Sequence, residues 1–181
     1  MVDLATSHRL RRFSNVMAGI TTAGMVLIAA LMTAVFLIPD WTRNFLLAKL
    51  GQAGAGLPLA PGRIIAGAAV TALPVGIMLY GLWQASALLR DFAAGQVFTP
   101  LAARRLRDFA GAILAQAVLG PISSAALLLA FTLSNPPGQR QFGIALSIND
   151  YLALIVGGVL LAVAWAMVEA TRIADENASF V

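Results

Sequence analysis

The stretch FSNVMAGITTAGMVLIAALMTAVFLIP, Phe13 to Pro39, holds no Asp, Glu, Lys, Arg or His, and its reading decides the fold. Its apolar centre runs from Val16 to Ile38. At a rise of 1.5 Å per residue, about 23 residues reach roughly 34 Å, enough to cross a ~30 Å hydrocarbon core. His8, Arg9, Arg11 and Arg12 stand just before it, the arrangement that also precedes a secretory signal. The apolar run of a signal peptide is only about 7–15 residues. The run here is longer and further apolar runs follow, so it is expected to remain as a span.

Three more uncharged runs lie downstream, at Ile64–Leu89, Phe109–Leu133 and Tyr151–Val168. The chain of 181 residues is 60% hydrophobic and 11% charged, with a mean hydropathy of +0.85. A water-soluble domain carries about 25% charged residues because its surface faces water. Less than half that share, confined between the apolar runs, excludes a water-soluble globule. The expected fold is an all-α integral membrane protein, a four-transmembrane-helix bundle forming one membrane domain over residues 1–181. Its spans are placed at about 16–38, 64–89, 109–133 and 151–169, with a tail at 170–181.

Local chemistry punctuates these spans. Pro61-Gly62-Arg63 opens the second, since proline suits a first helical turn. Pro74 within it predicts a kink, as does Gly120-Pro121 in the third. Ser147-Ile148-Asn149-Asp150 offers capping side chains to the fourth. Small residues such as Gly19 and Ala23, Gly67 and Thr71, and Gly157 and Gly158 allow close helix approach. Between the first two spans, Trp41, Phe45, Leu46 and Leu50 recur at helical spacing, with Arg43, Asn44 and Lys49 opposite. Two readings stand: a short helix lying in the membrane interface, or an ordered loop.

Orientation follows from the cations. Arg9, Arg11, Arg12, Arg90, Arg104, Arg105, Arg107 and Arg172 fall on one side, eight in all. Arg43, Lys49, Arg63 and Arg140 fall on the other, four in all. The positive-inside rule assigns the first set, with both termini, to the cytoplasm. Arginine and alanine enrichment fits a GC-rich bacterial genome, hence an inner (cytoplasmic) membrane.

The most informative segment is the one between the second and third spans, Leu89 to Phe109. Gly95 can adopt the left-handed conformation that ends a helix. Thr99 with Pro100 is an N-cap followed by proline at the first helical position. The second span is therefore expected to continue to Ala94, turn at Gly95 and restart at Pro100, making a short cytoplasmic helical hairpin. Phe92, Val97, Phe98 and Leu106 are expected to form its apolar contact. Arg104, Arg105 and Arg107 crowd one short helical stretch, and Asp175 and Glu176 of the tail face the same compartment.

Phe92-x-x-Gly95-x-x-Phe98 followed by Leu106-Arg107 resembles the signature of the bacterial membrane family called domain of unknown function 2975. The ending Ile173-Ala174-Asp175-Glu176-Asn177-x-x-Phe180-Val181 is similar to that family's acidic tail. Asp175 stands where a glutamate is more usual, and an asparagine common after the hairpin phenylalanine is absent. The resemblance implies a four-span protein, often encoded beside small helix-turn-helix transcription regulators, and implies no activity.

Catalytic classes fare poorly. Without cysteine there is no disulfide, thiolate zinc site or thiol nucleophile. No acidic, basic or histidine side chain sits near a span centre, where intramembrane proteases and pumps need them. No enzymatic activity, cofactor, metal or direct nucleic-acid contact is expected. Thr21, Thr22, Thr33, Thr71, Gln84, Gln116, Ser123 and Ser124 are expected to hydrogen-bond between helices. Two functional readings follow. In one, a non-catalytic protein solvated by the bilayer binds or sequesters a small cytoplasmic helix-turn-helix regulator through Phe92, Gly95, Phe98, Arg104, Arg105, Arg107, Asp175 and Glu176. In the other, a small transporter or channel subunit uses a path past Gln84, Gln116 and Ser123.

Overall fold

A computed structural model describes the backbone of residues 4–54, 57–133, 143, 144 and 146–178; side chains are described for 9–54, 57–133, 143, 144 and 146–173. Among the described residues five helices follow in order: α1 (Leu4–Leu37), α2 (Pro39–Leu50), α3 (Pro61–Ala93), α4 (Pro100–Thr132) and α5 (Ile148–Ala178), with a 3₁₀ turn at Gly51–Gly54 after α2. α1, α3, α4 and α5 are each long and apolar enough to cross a membrane. The chain is an all-α membrane protein, and each of the four predicted spans falls on one of these helices, the first and third running one residue past the helix C-terminus. Elsewhere the helices overrun the spans because capping chemistry, and not hydropathy, sets where a helix stops.

The chain divides into two compact units, Met1–Val26 with Met78–Leu114 and Ala153–Val181, and Leu27–Ile77 with Ala115–Leu152. In the first unit, buried Leu88, Ala102, Leu106 and Ala164 form the core, with Phe92, Phe109, Leu160 and Met167 packed on it. Small residues bring the backbones together there. A Cβ on Gly81 would lie 2.7 Å from the Ala112 Cβ, and one on Gly157 would lie 2.8 Å from Leu114 Cγ. The Thr22 and Ser86 hydroxyls meet at 3.0 Å and join α1 to α3.

In the second unit, Leu46, Leu127 and Phe131 form the core, with Phe45, Leu50, Leu57, Leu59 and Val70 around them. The segment after the first span is thus a helix and not a loop. Phe45, Leu46 and Leu50 pack into the unit instead of meeting lipid, while Trp41 stays exposed. The junction of α1 and α2 shows why the chain bends without losing a backbone bond. Pro39 has no N–H, so Val35 O loses its donor four residues on. The Thr42 hydroxyl replaces it, donating to Val35 O at 2.6 Å. Phe36 and Phe45 close the corner edge to face, with ring centroids 5.7 Å apart.

α5 begins with a reciprocal cap, as its Ser-x-x-Asp sequence predicts. The Ser147 hydroxyl accepts from Asp150 N at 3.3 Å, and the Asp150 carboxylate accepts from Ser147 N at 2.8 Å. The same carboxylate rests on Gly120, where any Cβ would collide with it.

The expectation of interhelical hydrogen bonds is corrected for most of the hydroxyls. Thr21, Thr33, Thr71, Ser123 and Ser124 all donate to carbonyls three or four residues back in their own helices. The preceding turn offers the nearest acceptor, and no water competes for the donor. Thr22 with Ser86 does bridge two helices, as does the Gln116 amide, which donates to Pro74 O at 2.6 Å. Both Pro74 and Pro121 lie within continuous helix.

Candidate docking face at the α3–α4 hairpin

The end of α3 leaves backbone carbonyls with no partner in the helix, and the sequence satisfies them one by one. Gly95 takes φ = 84°, a conformation open to glycine at no steric cost. That lets Gly95 N donate to Phe92 O and Gln96 N donate to Asp91 O, at 3.0 and 2.9 Å. This pair of bonds is the Schellman motif. The last carbonyl, Ala93 O, accepts from Arg11 Nε of α1 at 2.9 Å. α4 then starts as expected, with Thr99 Oγ1 accepting from Ala102 N at 3.1 Å ahead of Pro100.

Arg105 fastens the two arms. Its guanidinium donates to Ala87 O at 2.9 Å and to the Asp91 carboxylate at 2.5 Å. Asp91 and Arg105 are equidistant in sequence from Phe98, so an antiparallel hairpin brings them face to face. The pair is well shielded, with side chains 14% and 26% exposed. Arginine suits the task, because its planar fork presents several donors at fixed angles. At the far end of α4, Arg63 does similar work, donating to Phe131 O at 2.8 Å. Arginines that the charge count treats as one class therefore include cross-helix caps complementing the negative ends of helix dipoles.

The remaining predicted residues divide by exposure. Phe92 packs on the core of its unit as expected, and Leu106 lies inside that core. Phe98 does not join them. It is 74% exposed, because the Gly95 turn carries it past the core, and Leu101 beside it is also exposed. Arg104 is exposed, one turn on from Leu101. Arg107 lies 3.3 Å from Asp108, whose other oxygen accepts from the Tyr80 hydroxyl at 3.4 Å. The Gln84 amide donates to Tyr80 Oη at 2.9 Å. Glu169 and Arg172 pair on α5, one turn apart. The side chains of Asp175 and Glu176 lie outside the described residues, so their expected approach to the arginines does too.

Among the described residues the hairpin thus presents the exposed side chains of Phe98, Leu101 and Arg104 on a capped turn. Among the described residues, no group of three or more His, Cys or carboxylate side chains could hold a metal. Sequence reasoning missed Asp91 and Arg11; their signal was the symmetry of the hairpin and the carbonyl left over after the turn. A family model described as "Protein of unknown function (DUF2975)" matches residues 46–181. No curated protein and no solved structure matches the chain.

Proposed function

The chain belongs to the DUF2975 family, proteins of unknown function, and from that premise we propose that it is a non-catalytic membrane protein that holds a cytoplasmic protein against the bilayer. The partner proposed is a small helix-turn-helix regulator, and the membrane is the bacterial inner membrane with both termini cytoplasmic. The observation that carries this reading is the exposed trio Phe98, Leu101 and Arg104 on a turn held by the Gly95 and Gln96 backbone hydrogen bonds. Phe98 and Leu101 are exposed apolar side chains near an exposed arginine, and aromatic residues with arginine are the usual anchors of protein interfaces. The excess of cations on this side supports the cytoplasmic assignment.

The transporter or channel reading draws on Gln84, Gln116 and Ser123. Each donates to a partner nearby in the chain or on a packed helix, and no observation favours it.

The test is recovery of a partner from native membranes with Phe98→Asp and with Arg104→Ala plus Arg107→Ala, leaving the structural Arg105 in place. Membrane insertion should persist and partner recovery should fall at least tenfold. Unchanged recovery from both variants, and from a chain lacking residues 174–181, rejects the docking reading.

A further inference from the structure

A groove beside the hairpin is left unused by that reading. It encloses about 530 Å³ along α1 and is lined by Asn15, Gly19, Thr22, Ala23 and Val26 together with Arg90 of α3. Its wall is open at Gly19, where a Cβ would meet nothing within 4 Å. The Arg90 side chain makes no hydrogen bond or ion pair among the described residues.

The depth of the groove follows from neighbouring side chains. Tyr80 and Trp83 stand side by side, ring centroids 6.2 Å apart, both about half exposed. Tyrosine and tryptophan gather at the edge of the hydrocarbon layer. Tyr80 also meets Asp108, which sits with Arg107, and charges deeper than that edge are costly. The edge therefore crosses α3 near Tyr80 and Trp83. Thr22 is tied to Ser86, less than one turn beyond Trp83. From Thr22, Val26 lies about 6 Å toward the hydrocarbon, and Asn15 lies about 10 Å toward water at 1.5 Å per residue. Arg90, one turn past Ser86, is on the same watery side.

The groove is thus apolar at the end that reaches the boundary of the bilayer, near Val26, and polar and cationic at the other. We propose that it holds an anionic phospholipid, with the phosphate at Arg90 and Asn15 and an acyl chain along Ala23 and Val26. A second copy of α1 is a poorer occupant, because residues 9–37 contain no acidic side chain to meet Arg90.

Native mass spectrometry of the purified chain with dioleoyl-phosphatidylglycerol and dioleoyl-phosphatidylcholine tests this. The wild type should retain one phosphatidylglycerol with ~fivefold preference, the effect of one arginine near an anionic headgroup. Arg90→Gln should bring the preference to near parity while still retaining lipid, and Arg104→Ala should leave it unchanged. Gly19→Leu, or Ala23→Leu if the first folds poorly by circular dichroism, should abolish retention of both lipids. A phosphatidylglycerol preference that survives Arg90→Gln overturns the proposal, as does full retention in the groove-filling variants. Conversion of a dimer to a monomer by Gly19→Leu, with lipid retention unchanged, would assign the groove to a second copy instead.

Discussion

Arg104 and Arg105 are adjacent, carry the same charge and meet opposite environments. Arg105 is spent on Asp91 and Ala87 O, so Arg105→Ala strips a shielded carboxylate of its partner. The expected loss is about 1–3 kcal/mol, the range for leaving a charged or polar group without its hydrogen bond. Arg104→Ala removes nothing from the fold and should stay within about 0.5 kcal/mol. Unfolding of both variants in mixed micelles compares them directly; equal midpoints would contradict the assignment. Gly95→Val should cost about 1 kcal/mol or more, because a β-branched side chain meets the backbone at φ = 84°. The same unfolding measurement checks it. Gly95, Thr99 and Pro100 were legible from sequence because capping rules are local. The partners of Arg11 and Arg105 were not, because a partner 82 or 14 residues away is fixed by packing.

At the scale of helices, length and hydropathy predict the four spans, since lipid leaves the backbone few alternatives to a helix. They do not predict which faces touch. Small residues are spread all over α3, yet only some meet a neighbour: Gly81 lies against Ala112, while Gly76 has nothing within 4 Å of its missing Cβ. Gly81→Leu should therefore push α3 from α4 and lower the melting transition in detergent by several degrees. Gly76→Leu should leave that transition within a degree or two of the wild type. Equal effects would mean that close approach is not what Gly81 serves. Phe98 marks where pattern reading fails. Its apolar character suggested a place in the contact, but the turn geometry decides where a side chain goes. From sequence the α2 segment reads equally as a loop or an interfacial helix, because the burial of Leu46 and Thr42 is set by tertiary packing.

For the whole molecule, the decisive question is orientation, which rests on eight cations against four. The chain has no cysteine, so single substitutions give clean reporters. Cysteines at Ala5, Gln96 and Ser179 should be shielded from a membrane-impermeant thiol reagent in intact cells, and one at Gln52 should react. Labelling at Gln96 without permeabilisation would reverse the orientation and remove the docking proposal with it. The candidate site was legible as a charged, turn-bearing hairpin. Which of its charges remain available was not, because that depends on which carbonyls the arginines reach.

The carboxylate of Asp150 resting on Gly120 bears on how the chain comes together in time. α4 is synthesised before α5, so the bare backbone at Gly120 is in place before the residue that covers it exists. When the last helix arrives, its first turn completes its own cap with the same carboxylate that touches α4. Starting that helix and seating it are then one event. A larger residue at position 120 should show itself first as slow or incomplete maturation in pulse–chase, ahead of any change in the finished protein.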